Sequence, residues 1–166
     1  NKKIINFSKN KILNLAYKVG FDTPLGLEKR NSILFSNGKI VRLKNNINYY
    51  VLITKPNLNC STKDIYARLK KYSKSLYYNK KNKTLFKNSC LKESKNDLEK
   101  IVFKKYPKVS DLKNFLSSLP NAAFVRMTGS GSAIVAYFKS KKSVKIAERS
   151  FKRKYRRYWY ITSKTI

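Results

Sequence analysis

Two hydrophobic periods alternate through the second half of the chain, and that alternation restricts the architecture more than any other feature. Leu112, Phe115, Leu116 and Leu119 fall at i, i+3, i+4 and i+7, the spacing of one apolar helical stripe. Pro120-Asn121 ends the stripe. Two β-branched and aromatic runs follow, Ala122 to Met127 and Ala133 to Phe138, with Thr128-Gly129-Ser130-Gly131-Ser132 between them. The helical period returns over Lys141 to Phe151, with Val144, Ala147 and Phe151 inward, and a final strand is predicted over Arg157 to Thr162.

The first half continues the pattern. Ile12, Leu15, Ala16 and Val19 predict a helix over Lys11 to Val19 that stops at Gly20, a C-cap residue. Ser32 to Phe35 and Lys39 to Leu43 read as a hairpin across Ser36-Asn37-Gly38, since Asn-Gly is a strong turn signal. Tyr49 to Thr54 reads as a strand stopped by Pro56. Ser61-Thr62-Lys63-Asp64 has the form of a capping box whose helical face continues through Ile65, Leu69 and Tyr72. Residues Ser73 to Lys95 read as a long exposed connection. Asn96-Asp97-Leu98-Glu99 forms a second capping box, opening a helix through Ile101, Val102 and Lys105 that ends near Pro107. Strand pairs alternating with helices predict an α+β fold, an antiparallel sheet with helices on one face.

The chain has 166 residues and a hydrophobic content of 42%, enough to enclose a core. Its formal net charge is +31, which raises the question of nucleic acid, because neutralising phosphates releases counterions. The positive charge is nearly all lysine, spread through every segment and accompanied by Asn, Ile and Tyr. That distribution follows AT-rich codon usage rather than a binding patch, and nucleic acid is not the expected partner. The densest basic stretch, Lys152 to Tyr160, interleaves arginine with aromatics as a base-stacking platform would, and it also reads as a basic turn entering an aromatic strand. No RNA-recognition signature accompanies it. Cys60 and Cys90 are far apart and histidine is absent, so no zinc site is expected. No apolar run reaches the roughly 20 residues of a membrane-spanning helix, and the expected location is the cytoplasm. The chain starts at Asn1, and an N-terminal portion is expected to be missing.

Without histidine, general-base chemistry falls to a carboxylate, lysine, tyrosine or cysteine. There are eight carboxylates. Asp64 and Glu99 read as capping-box partners, Asp97 as a first-turn residue, and Glu93, Asp111 and Glu148 as solvated. Glu28 and Asp22 remain. Asp22 stands between Gly20 and Thr23-Pro24, where the turn holds the backbone, and on spacing alone it reads as a turn aspartate. The loop Gly129-Ser130-Gly131-Ser132 is the second candidate, because small residues allow close backbone approach and successive amides can face phosphate oxygens. A tight strand connection has the same composition. It is neither a Walker sequence nor a dinucleotide fingerprint.

Taken in order, Gly20-Phe21-Asp22-Thr23-Pro24, Asn59 to Tyr66, Asn96-Asp97-Leu98-Glu99 and Met127 to Ala133 resemble the C-terminal part of the GHMP kinase superfamily, in its branch of 4-diphosphocytidyl-2-C-methyl-D-erythritol kinases. The third of these is similar to the family's Asn-Asp-Leu element, the last to its Ser-Gly-Ser-Gly-Ser motif. The resemblance implies a ferredoxin-like C-terminal domain over 49–166, preceded over 1–48 by the end of the N-terminal domain. It also implies transfer of the ATP γ-phosphoryl group, with Mg2+, to the 2-hydroxyl of 4-diphosphocytidyl-2-C-methyl-D-erythritol in the non-mevalonate isoprenoid pathway. Asp22 would be the base, Gly129, Ser130, Gly131 and Ser132 the loop at the substrate phosphates, and Tyr66 an aromatic stacking on the cytosine. Leu25-Gly26-Leu27 departs from the aromatics the family commonly carries after the proline. Neither the family's N-terminal lysine motif nor its Pro-x-x-x-Gly-Leu-Gly-Ser loop is present, so the chain reads as a truncated fragment, inactive alone. The alternatives are a basic nucleic-acid-binding module and a GHMP-like interaction domain without catalysis.

Overall fold

The computed structural model describes residues 7–43, 47–73 and 88–165. The chain divides into two compact units, one ending at Ile47 and the other spanning Asn48–Thr165.

In the smaller unit, helix α1 (Lys9–Val19) starts where the Ser8 hydroxyl accepts the Lys11 N–H at 3.3 Å, a cap worth about 1 kcal/mol. It ends at Gly20, whose N–H donates to the Ala16 carbonyl. The cap differs from the expected left-handed one, because Gly20 is extended at φ 178°. A Cβ there would crowd Thr23 Oγ1 at 3.1 Å. Of the anticipated apolar stripe only Ala16 is buried; Val19 is 80% exposed. A 3-10 turn (Thr23–Leu27) follows, with Pro24 buried.

Strands β1 (Ser32–Leu34) and β2 (Ile40–Arg42) form the anticipated hairpin. Its turn is not the mirror-image Asn-Gly type. Gly38 N–H donates to the Phe35 carbonyl at 2.9 Å, and positive φ is confined to Gly38 at 81°. Asn37 instead turns its Oδ1 to the Lys39 N–H.

The larger unit is a four-stranded antiparallel sheet in the order β4-β5-β3-β6. Its strands are β3 (Tyr50–Lys55), β4 (Ala122–Met127), β5 (Ile134–Phe138) and β6 (Trp159–Lys164). Helices α2 (Thr62–Ala67), α3 (Asn88–Glu93), α4 (Glu99–Lys105) and α5 (Pro107–Ser117) lie between β3 and β4, and α6 (Lys141–Lys154) between β5 and β6. This strand-helix-strand-strand-helix-strand order is the expected ferredoxin-like α+β arrangement. Alternation along the strands sends Leu52, Ile134, Ala136 and Phe138 into a core shared with Val109, Leu112 and Leu116 of α5 and Val144, Ala147 and Phe151 of α6. Each of the larger side chains among these contributes roughly 1.5–3 kcal/mol by leaving water. On the opposite face Trp159 and Ile161 remain about half exposed.

Three predicted elements differ. The helix opened by Ser61 stops at Ala67, short of Leu69 and Tyr72. The predicted connection over Ser73 to Lys95 contains α3, whose last carbonyls at Leu91 and Lys92 accept from the Arg126 guanidinium; residues 74–87 of that stretch lie outside the described residues. The second capping box is not formed. Leu98 caps α4 without a side-chain bond, because Asn96 and Glu99 are used elsewhere, as described next.

Candidate functional site

The loop between β4 and β5 is closed by its own backbone. Thr128 N–H donates to the Ala133 carbonyl and Gly131 N–H to the Thr128 carbonyl, both at 3.0 Å. Gly129 and Gly131 take φ of 52° and 86°, which L side chains adopt only at a cost. A Cβ on Gly129 would meet open space, whereas on Gly131 it would stand 3.0 Å from Met127 Sδ, 3.3 Å from Cys60 Sγ and 3.4 Å from Val102 Cγ1. Gly129 is thus the open side of the loop and Gly131 its packed side. Among the described residues the amides of Gly129 and Ser130 have no partner, leaving two donors available to an anion.

The two serines of the loop differ. Ser130 Oγ lies 2.8 Å from Thr62 Oγ1, the first residue of α2. Ser132 is buried and donates to the Leu58 carbonyl at 2.7 Å, so its hydroxyl is part of the fold and is not presented to a ligand.

Residues read from sequence as a capping box hold this loop instead. Asn96 Nδ2 donates to the Met127 carbonyl at 3.1 Å and to the Gly129 carbonyl at 2.8 Å, while its Oδ1 accepts the Leu98 N–H at 3.0 Å. Glu99 accepts the Met127 N–H at 2.9 Å and pairs with Lys113. Asp97 accepts from the Ser73 backbone at 2.8 Å and from the Ser73 hydroxyl at 3.1 Å. The Ser73 amide, then its hydroxyl, hold the Asp97 carboxyl below its usual pKa. The only signal for these roles was the Asn-Asp-Leu element itself; its partners are distant in sequence.

Between these walls lies a depression of about 310 Å³ lined by Tyr66, Leu69, Tyr72, Lys95, Asn96, Asp97, Leu98 and Gly129. That is the lower end of the range for ligand pockets, roughly 300–1,000 Å³. The structure therefore places Tyr66, 48% exposed, on the same depression as Gly129. Asp64, at the foot of α2, pairs with Lys105 and with Arg68, and Lys105 first, then Arg68, lower its pKa. Cys60 is free and partly buried, and burial raises its thiol pKa.

Asp22 lies in the smaller unit, exposed, immediately before the 3-10 turn. Its side chain makes no cap hydrogen bond, so the turn-aspartate reading finds no bond to support it. Glu28, the other unassigned carboxylate, takes Arg42 in a two-point pair at 2.6 and 2.7 Å.

The basic aromatic stretch is mostly structural. Tyr155 stacks on Phe151 and Tyr158, and Tyr160 meets Phe151 edge-on. The Lys152 ammonium lies over Tyr160 and pairs with Glu148. Of its aromatics only Trp159 is exposed. No helix among the described residues is long and apolar enough to cross a membrane.

The larger unit is thus a four-stranded antiparallel sheet with helices on one face and a glycine loop with unpartnered amides, and residues 77–157 match the family described as GHMP kinases C terminal. The chain as a whole is similar to 4-diphosphocytidyl-2-C-methyl-D-erythritol kinase. It is 46% identical to that of Pelagibacter ubique (strain HTCC1062) over 165 residues, 99% of this chain and 58% of the relative. It is 28% identical to that of Anaplasma phagocytophilum (strain HZ) over 92% of this chain and 53% of the relative. A crystal structure of 4-(cytidine 5'-diphospho)-2C-methyl-D-erythritol kinase superposes with a TM-score of 0.69 at 19% identity, covering 97% of this chain and 58% of that one. The chain thus spans little more than half the length of the relatives it matches.

Proposed function

We propose that this chain is part of an ATP-dependent kinase that phosphorylates the 2-hydroxyl of 4-diphosphocytidyl-2-C-methyl-D-erythritol in the non-mevalonate isoprenoid pathway. The observation that carries this reading is the 46% identity to the Pelagibacter kinase, sustained over 99% of the chain. Residues 1–48 are read as the end of the N-terminal kinase domain and 49–166 as its C-terminal domain.

The residue roles proposed are those the resemblance implies. By that resemblance Asp22 is the group assigned to orient the attacking hydroxyl and accept its proton. The Ser130 and Gly129 amides donate to the substrate diphosphate, where a backbone donor costs no reorganisation when charge builds up. Tyr66 lies flat against the cytosine, a sequence-tolerant contact strengthened by burial of the ring. ATP, when bound, supplies the γ-phosphoryl group, and most of the acceleration in such transfers comes from positioning and charge stabilisation. The open glycine side of the loop and its two unpartnered amides fit phosphate oxygens. The described residues gather no group of three or more carboxylate or thiolate ligands, so no step is assigned to Mg2+ on this chain.

The test is Asp22→Asn in the full-length protein, assayed for ATP-dependent phosphorylation of the cytidyl substrate. Loss of a general base lowers turnover by about two orders of magnitude or more, with substrate KM within a few-fold. An unchanged turnover overturns the assignment of Asp22.

A further inference from the structure

Asn96 uses every hydrogen-bonding position that matters to its neighbours. Its two amide hydrogens go to the carbonyls of Met127 and Gly129, and its oxygen takes the Leu98 N–H. Rotating the amide by half a turn would set an oxygen against two carbonyl oxygens, so the orientation is fixed by its partners. Aspartate cannot substitute, because an ionised carboxylate only accepts.

The consequence reaches the far side of a peptide plane. The Gly129–Ser130 bond is trans, and in a planar trans peptide the carbonyl of one residue points opposite to the N–H of the next. Holding the Gly129 carbonyl against Asn96 at 2.8 Å therefore turns the Ser130 N–H away from Asn96 and fixes its direction. Glycine imposes little restriction of its own on this peptide plane, and a side chain at Gly129 would meet nothing within 4 Å. The side chain that sets the loop's donor thus comes from the segment before α4, and the neighbouring Asp97 ties the opposite wall through Ser73.

We infer that Asn96 is a positioning residue that fixes the direction of the Ser130 amide for a phosphate group at the open, Gly129 side of the loop, and that Asp97 separately fixes the wall carrying Tyr72. The phosphate in question rests on the kinase reading above; the clamp itself does not.

Two measurements on full-length protein separate the parts. The first needs no ligand: amide hydrogen exchange across 127–133 in the wild type, Asn96→Asp and Asn96→Ser. Serine is the milder change, since it loses the two amide donors without introducing charge. Exchange in the loop should rise at least about ten-fold in both, the scale expected from losing two hydrogen bonds, while α5 and α6 stay protected. Unchanged loop exchange in both variants overturns the clamp. The second is equilibrium binding of cytidine 5'-diphosphate and of cytidine. Asn96→Ser should weaken the diphosphate about ten-fold and cytidine less than two-fold, whereas Asp97→Asn should weaken both alike. Equal losses for both probes in Asn96→Ser, or no loss for the diphosphate, overturn the aiming role. Failure of the wild type to bind either probe counts against the kinase reading, and the exchange result still decides the clamp.

Discussion

Replacing Gly131 by alanine tests the packed side of the loop, and Gly129→Ala is its internal reference. Both glycines have positive φ, 86° and 52°, so alanine at either carries a backbone cost of about 1–2 kcal/mol. Only Gly131 adds crowding. Its new methyl would stand 3.0 Å from Met127 Sδ, 3.3 Å from Cys60 Sγ and 3.4 Å from Val102 Cγ1. Met127 Sδ belongs to a flexible side chain, but Met127 and Cys60 would both have to give way in a close-packed site. Overpacking of this kind costs roughly 1–3 kcal/mol, so Gly131→Ala should lose about 2–5 kcal/mol and Gly129→Ala about 1–2. Urea titration followed by circular dichroism reads the difference as a larger fall in midpoint at unchanged slope. If Gly131→Ala proves no more destabilising than Gly129→Ala, the packing argument is wrong.

Two further outcomes follow from single interactions. Thr54 is fully buried and its Oγ1 donates to the Ile134 carbonyl at 3.1 Å; Thr54→Val keeps the shape and removes the bond, so it should cost about 1 kcal/mol in the same titration, and a stabilised variant would contradict the role given to that bond. Arg42, first by hydrogen bonding, holds the Glu28 carboxyl below its usual pKa. A depressed folded-state pKa contributes stability above the unfolded value that disappears as pH falls through the folded one. In Arg42→Ala the Glu28 carboxyl should titrate higher by NMR, and an unmoved titration would refute the pairing in solution.

The sequence disclosed what depends on neighbours along the chain and hid what depends on distant ones. Leu112 and Leu116, or Val144, Ala147 and Phe151, repeat at helical spacing, and all are buried. Ser61 caps α2 as its spacing predicted, by accepting the Asp64 N–H. Asn96 to Glu99 had the same local form and misled, because the Asn96 amide hydrogens, Asp97 and Glu99 are taken by partners at Met127, Gly129 and Ser73, while the Asn96 oxygen accepts the Leu98 N–H instead of the Glu99 N–H a capping box uses. The hairpin was legible as a hairpin, but its turn geometry was decided by Gly38 alone. Tyr66 and Gly129 were singled out separately, on resemblance and on composition; their shared depression is a product of the fold. Ser132 shows the reverse, since its side chain turns inward to Leu58 where its loop neighbours remain accessible. The role of Asp22 rests on resemblance, as its surroundings in the smaller unit add no bond that would announce it.

The sheet places its earliest strand between its two latest ones in sequence. Tyr50 pairs with Lys164 and Lys55 with Trp159 on one side, and Tyr50 with Phe138 on the other. A ribosome making this unit therefore releases β3 long before either partner exists, and neither long edge of that strand can close until β5 and then β6 have emerged. Pairings this distant raise the contact order and slow folding, so the sheet is assembled late and as a whole, with β6 as its final stitch.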